Sequence, residues 1–151
     1  MRRPGGERGA SILELALITP VMALIVMGVL DLARGHQMQI GLTNAAREGA
    51  AYAQIAPNDV SCAGEDDIID RVMGESGDLA GYAGLSVVVF AEDASGDLTV
   101  PVTGCGGSTA SSGERVRVEV TATFDVITPM VERVVGGSID LTGSSEIEVQ
   151  S

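Results

Sequence analysis

The sequence of 151 residues contains no tryptophan and no lysine, and it has one histidine and two cysteines. Aromatic residues are limited to two phenylalanines and two tyrosines. A hydrophobic core must therefore be built from valine, isoleucine, leucine and alanine. Because lysine is missing, the glycine-rich stretches cannot form a Walker-type phosphate loop. Two cysteines and the distant His36 do not make up a zinc site.

Basic residues are also scarce, since nine arginines stand against 21 acidic residues and the formal net charge is −12. Such a chain repels phosphate backbones, which argues against nucleic-acid binding and against binding an anionic lipid surface through the soluble part. Two acidic clusters, Glu65–Asp67 with Asp70 and Asp93 with Asp97, lack the ligand spacing of a calcium loop. We expect a helix start and a hairpin turn there, and no cofactor.

Charge is nearly missing from one long stretch, Ala10 to Leu30, which carries only Glu14. At about 1.5 Å per helical residue this stretch reaches roughly 30 Å, the thickness of a bilayer core. Arg2, Arg3 and Arg8 precede it, and this bias keeps the N-terminus cytoplasmic. The pattern predicts a single-pass protein of the cytoplasmic membrane with its C-terminal domain outside.

Glu14 stands alone in this stretch, and a carboxylate in a transmembrane segment costs about 3 kcal/mol on insertion scales. A cut after Gly9 would make Ala10 the first residue and Glu14 the fifth. The basic leader, the glycine at the cut and the glutamate at position five resemble the processing pattern of type IV prepilins. A secretory signal peptide would need a small-residue cut site after the apolar run, and Gly28–Ala33 is a poor one. A plain anchor leaves Glu14 unexplained.

The resemblance extends further along the chain. The segment from Arg8 to Pro20, then Asp31-Leu32-Ala33-Arg34, and then Asn44 to Ala53 are similar to the TadE family. These proteins are the pseudopilins or minor pilins of tight-adherence (Tad) pili. The similarity runs from residue 1 to the neighbourhood of Ala56.

This resemblance implies maturation by a prepilin peptidase between Gly9 and Ala10, and use in priming or assembling a Tad-type pilus or a related secretion apparatus. It also implies that Glu14 pairs with the new α-ammonium group of a neighbouring subunit inside a helical bundle. The implied partners are other pilin or pseudopilin subunits through the N-terminal helix, the peptidase, and the inner-membrane pilus assembly platform. The protein would stay in the membrane or enter an extracellular pilus.

The predicted fold class is α+β, with a long protruding N-terminal helix packed on a small antiparallel sheet and one additional short helix. We divide the chain into a basic leader (1–9), a transmembrane and assembly helix (10–30), an amphipathic continuation (31–56) and an extracytoplasmic head (57–151). Pro20 predicts a kink in the helix. Small and apolar residues recur at helical spacing in the continuation, namely Leu42, Ala45, Ala46, Gly49, Ala50 and Ala53.

Within the head, a helix ending near Glu75 is predicted to bury Ile68, Ile69, Val72 and Met73. Strands are predicted at Leu85–Glu92, Asp97–Val102, Glu114–Val126 and Ser138–Gln150, with Pro129–Gly137 as a connector that can hold a helical turn. Strict alternation in Glu114–Val126 favours an antiparallel sheet with one solvated face. On that face Glu146 or Glu148 can pair with Arg115 or Arg117.

Cys62 and Cys105 both follow the membrane segment. In an oxidising compartment they would form one disulfide, whose loop closure contributes roughly 4 kcal/mol. Two free thiols or half of a metal site are the alternatives.

No catalytic constellation is visible in the sequence, so we predict a structural protein and not an enzyme. The main alternative is a single-pass membrane protein whose acidic extracytoplasmic domain binds a ligand or an ion. That protein would not be processed and would be indifferent to Glu14. An exported enzyme would need a clustered polar site, which the sequence does not show.

Overall fold

The computed structural model describes residues 6–60, 67–75, 81–92, 95–98, 100–102 and 110–150. The fold is α+β, as predicted. Its helices are α1 (Gly6–Ala53), α2 (Ile68–Glu75) and α3 (Pro129–Val135). Its strands are β1 (Ser86–Ala91), β2 (Val100–Val102), β3 (Arg115–Asp125) and β4 (Ser138–Glu148). The predicted disulfide between Cys62 and Cys105 lies outside the described residues, as do Glu65, Asp66 and Asp93 of the acidic clusters.

Helix α1 has 48 residues and runs without interruption through Pro20. Proline has no N–H group, so it removes the helical hydrogen bond to the carbonyl of Ala16. The hydroxyl of Thr19 donates to the neighbouring carbonyl of Leu15 at 2.6 Å. Helix α1 is continuous on both sides of Pro20. The kink expected at Pro20 stays a prediction.

The second half of α1 packs against β3, β4 and α2 through one face of small and apolar side chains. Its buried hydrophobic residues are Met38, Leu42, Ala45, Ala46, Ala50 and Ala53. Gly49 is buried among them, and a Cβ there would lie 3.2 Å from Cγ1 of Val118 and would overlap Val72 of α2. The predicted stripe of small residues is therefore confirmed, and it lets α2 and the sheet approach the helix backbone closely.

The sheet has the strand order β2-β1-β3-β4, and every neighbouring pair is antiparallel. Strand β3 pairs with β1 on one side and with β4 on the other. Buried and half-exposed residues alternate along it from Arg115 to Phe124, as the sequence predicted. Its buried face joins α1 and α2 in one hydrophobic core, to which β3 contributes Val116, Val118, Val120, Ala122 and Phe124.

The other face of the sheet is polar and carries a small charge network. Arg115 lies 3.2 Å from Glu92 and 2.8 Å from Glu146, and Arg117 lies 3.4 Å from Glu146. The predicted cross-strand pairing is thus confirmed for Glu146. Exposed pairs of this kind contribute little to stability, so the buried face holds the sheet in place.

Three details differ from the sequence-based expectations. The side chain of Met73 is exposed, while Ile68 and Val72 are buried. The strand expected from Asp97 begins only at Val100. The connector Pro129–Gly137 contains α3, so the structure has two short helices in addition to α1. Proline at its start presets a helical φ, and Gly136 ends the helix at φ 91° in the left-handed region.

Strand β4 crosses α1 at Gly143 with backbone against backbone. A Cβ at this position would lie 2.5 Å from the amide nitrogen of Thr43 and 2.6 Å from the carbonyl oxygen of Leu42. Beside it, Nε2 of Gln39 donates to the carbonyl of Thr142 at 2.8 Å. Only glycine fits here, because the atoms in the way belong to the helix backbone and cannot rotate aside.

We predict that Gly143→Ala lowers the free energy of unfolding by about 2–3 kcal/mol, since overpacking against backbone forces the helix and the strand apart. Near-UV circular dichroism of Tyr52 and Tyr82 during urea unfolding of the full chain in detergent would measure the loss. Gly74→Ala is the matched control, because a Cβ at Gly74 meets nothing within 4 Å in the described structure. Equal stability of the two variants would contradict the proposed close contact.

Candidate functional site at the exposed helix and its junction with the sheet

The first half of α1 extends away from the sheet with its apolar side chains exposed. Every large hydrophobic side chain from Ile12 to Leu30 is exposed. Among the described residues, α1 is long and apolar enough to cross a membrane. The helix thus has a buried half that belongs to the head and an uncovered half that fits membrane anchoring.

Glu14 lies on the uncovered half, and its side chain is exposed among leucine and isoleucine residues. Within the described part of the chain, its carboxylate makes no hydrogen bond or ion pair. An acid on such an apolar surface has the chemistry to accept a cation or a hydrogen-bond donor from another molecule.

The predicted processing residues Gly9 and Ala10 are also exposed on α1. A Cβ at Gly9 would meet nothing within 4 Å in the described structure, and the same holds at Gly28. Packing within this chain therefore does not require glycine at either position, in contrast to Gly143.

The uncovered half of α1 ends at Asp31, whose residue is only 6% exposed. Its carboxylate accepts hydrogen bonds from the backbone N–H of Thr128 at 2.7 Å and of Ile127 at 3.2 Å. Arg34, one turn further along α1, lies 3.3 Å from the same carboxylate. These contacts attach the segment that enters α3 to the helix at the end of its apolar stretch.

This environment favours the ionised form of Asp31. The nearby hydroxyl of Thr128, the backbone N–H groups of Thr128 and Ile127, and the charge of Arg34 lower its pKa below the ordinary 3.8, although burial opposes them. The hydroxyl of Thr128 is buried and makes no hydrogen bond of standard geometry in the described structure. The hydrogen bonds to Asp31 therefore come from the backbone N–H groups of Ile127 and Thr128.

Arg34 also covers the last aromatic ring of the sheet. Its guanidinium carbon lies 5.3 Å from the ring centre of Phe124, within range of a cation–π contact. Phe124 is buried at the end of β3, and a Cβ at Gly35 would lie 3.7 Å from its ring. The end of the sheet nearest the apolar half of α1 is thus packed on the helix segment that follows this half.

A cavity of about 430 Å³ opens beside this junction, between α1, α3 and the ends of β3 and β4. Its walls include Leu32, Phe124, Val131 and Val135, so the surface is largely apolar. His36, an exposed residue, lies at its edge, together with Asp31.

Comparison with known proteins found a similarity that spans both halves of α1. Residues 9–51 match a family model described as TadE-like protein. This segment is similar to TadE-like proteins. The match begins at Gly9, includes Glu14, Asp31 and Arg34, and ends within the last turn of α1. Comparison with curated proteins and with solved structures found no match.

Asp31 had no predicted role, although it belongs to the segment that resembles the TadE family. An acid directly after an apolar run, with an arginine three residues on, was the available signal. Its principal partners are backbone groups 96 and 97 residues away. Almost every residue type has a backbone N–H, so the sequence could not indicate which residues would donate to Asp31.

We predict that Asp31→Asn destabilises the junction at pH 7, because the amide replaces a charged acceptor with a weaker one. Since folding lowers the pKa of Asp31, its stabilisation is complete above the ordinary value of 3.8 and is lost as the pH falls below it. Amide hydrogen exchange at Ile127 and Thr128 in the full chain should therefore be faster in the variant at pH 7.

The stability difference between wild type and Asp31→Asn should also shrink on acidification toward pH 3. Asp125→Asn is the control, because Asp125 is an exposed acid at the same end of the sheet. Unchanged exchange at Ile127 and Thr128 in Asp31→Asn would show that the carboxylate does not hold this segment.

Proposed function

We propose that this chain is a TadE-like pseudopilin or minor pilin, cleaved by a prepilin peptidase and used to prime or assemble a Tad-type pilus or a related secretion apparatus. TadE-like proteins are structural, and we propose the same for this chain. The supporting observation is a helix whose TadE-like segment exposes an apolar surface with one carboxylate, Glu14. We retain the proposed division into residues 1–9, 10–30, 31–56 and 57–151.

Cleavage after Gly9 would create an α-ammonium group on Ala10. In a low-dielectric bundle, this amine and the carboxylate of Glu14 on a neighbouring helix stabilise each other when both are well placed. Ala10 and Glu14 are four residues apart, which is about 6 Å along a helix. Pairing between parallel neighbours would therefore set their axial offset and favour one register of stacking.

The uncovered apolar half of α1 supplies the remaining contacts of the proposed bundle. Gly28 leaves open space where a side chain would stand, which permits close approach of another helix. The proposed partners are other pilin or pseudopilin subunits, the peptidase and the inner-membrane assembly platform. The protein would be anchored in the cytoplasmic membrane with its head outside, before or instead of entering a pilus.

We predict that Gly9→Phe blocks maturation, because a bulky side chain at the cut site cannot enter a peptidase pocket shaped for glycine. Intact mass measurement in cells that contain a prepilin peptidase should find wild type without residues 1–9 and the variant with them. Gly28→Ala is the control and should be cleaved normally. Retention of Met1 by the wild type would contradict the proposed processing.

We predict that Glu14→Leu is cleaved normally but no longer enters the pilus, because the new amine of its neighbour then stays unpaired. Mass measurement of the membrane fraction and immunodetection of the sheared pilus fraction separate the two steps. The double variant Leu13→Glu/Glu14→Leu keeps the charge but turns it by about 100° around the helix. This control should also fail, and normal incorporation of Glu14→Leu would contradict the pairing.

The alternative is an unprocessed anchored protein whose head binds a ligand. The observation that favours this alternative is the apolar cavity beside Asp31, which has room for a small apolar ligand. Such a protein keeps residues 1–9 and is indifferent to Glu14→Leu, so the same two measurements distinguish it from a pilus subunit.

A further inference from the structure

We propose that α3 and the preceding Ile127 lie in the interfacial layer of the membrane that α1 crosses. The chain would then contact the bilayer twice, through a spanning helix and through a short helix at the boundary between headgroups and acyl chains. This inference rests on α1 as a membrane span, and it holds whether or not the leader is removed.

The first observation is that α3 is apolar although none of its seven residues is buried. Met130 is 65% exposed and Val134 is 83% exposed, and their spacing of four places them on one face of the helix. Ile127, just before the helix, is 65% exposed. Packing within the chain does not account for three large hydrophobic side chains grouped at one place on the surface.

The second observation is the position of α3 along α1. Leu24 of α1 lines a shallow cavity together with Pro129, Met130 and Arg133 of α3. Leu24 lies seven residues before Asp31, which is about 10 Å toward the membrane interior along the helix axis. Helices that lie in the interface bury their apolar face by roughly 5–10 Å at the headgroup boundary. The N-terminal part of α3 therefore lies at interfacial depth if the span ends near Asp31.

The third observation is that this position is fixed. A second shallow cavity is lined by Met27 and Leu30 of α1 and by Ile127 and Thr128. The exposed side chains of α1 thus continue into those around α3 as one apolar surface. The hydrogen bonds from Ile127 and Thr128 to Asp31 must break before α3 can move away from this level.

The charges favour insertion by apolar contact over electrostatic attraction. Helix α3 carries one acid, Glu132, and one base, Arg133, so its net charge is zero. The chain as a whole is strongly acidic, so anionic lipid would not attract it. Arg133 lies beside Leu24 and can extend its guanidinium toward headgroup phosphates while its stem covers apolar surface. We therefore expect α3 to insert into a zwitterionic bilayer without anionic lipid.

The absence of tryptophan gives a direct test, because each single-tryptophan variant carries one reporter. We would reconstitute full-length Met130→Trp and Val134→Trp into phosphatidylcholine vesicles at low protein content, with and without bromine on the acyl chains. Leu24→Trp is the membrane control. Ile55→Trp is the exposed control, since Ile55 is exposed beyond the C-terminal end of α1. All these side chains are exposed, so the substitutions leave the core intact.

We expect bromine to lower the emission of Met130→Trp and Val134→Trp by roughly twofold, as for a side chain at interfacial depth, with a blue-shifted maximum. Leu24→Trp should be quenched at least as strongly, and Ile55→Trp should be unaffected. If bromine quenches Met130→Trp and Val134→Trp no more than it quenches Ile55→Trp, the proposal is overturned. A blue shift that bromine does not quench and that grows with protein content would also overturn it, because a second copy of the chain would then cover α3.

Because the experiment uses uncleaved protein in pure lipid, its failure would leave the pilin proposal untouched. Conversely, a chain that proves to be an unprocessed anchor would still show the quenching.

Discussion

The carboxylate of Asp31 connects the two parts of this molecule. It lies where the uncovered half of α1 ends. It accepts hydrogen bonds from the backbone N–H groups of Ile127 and Thr128, which are 96 and 97 residues further along the chain. A buried carboxylate is costly unless its oxygen atoms are hydrogen-bonded, and here two backbone donors and Arg34 meet that need. This one acid thus attaches the start of α3 to α1.

A second contact makes the connection rigid. Gly143 lets β4 meet the backbone of α1 at Leu42 and Thr43, where the Cβ of any other residue would collide with the helix. With Asp31 at one end of the packed half of α1 and Gly143 further along it, the helix cannot rotate or slide against the sheet.

Periodic patterns were the part of the fold that the sequence predicted well. Alternation along β3 and the small residues of α1 each depend on one element and its buried face, so residue type alone reveals them. The prediction that Met73 is buried was wrong. Ile68 and Val72 face α1, and Met73 lies about 100° further around α2 than Val72, so its side chain points away from the core. Asp31 and its partners were not predictable, because backbone donors nearly a hundred residues away have no sequence signature. Gly143 had a usable signal, since an isolated glycine inside a strand often marks a close backbone approach.

The family match covers α1 and stops before the sheet. A sheet with one buried face needs alternation of polar and apolar residues, which many unrelated sequences satisfy. Helix α1 carries more specific requirements, because one half must fit closely against β4 and α2 while the other must suit lipid or neighbouring helices. Glu14, Asp31 and Arg34 all lie in this helix, so the segment that is similar to TadE-like proteins also holds the proposed functional groups.

The position of Asp31 along α1 also bears on how a membrane-spanning chain tolerates Glu14. Glu14 precedes Asp31 by seventeen residues, which is about 26 Å along the helix, whereas the bilayer core is about 30 Å thick. If Asp31 marks the outer boundary, Glu14 lies near the cytoplasmic boundary and not at the bilayer centre. There its carboxylate can reach water in the isolated subunit, so the insertion cost at the centre does not apply in full. In the proposed bundle, neighbouring helices would enclose the acid and remove this water, and the amine proposed for the adjacent chain would then be its partner.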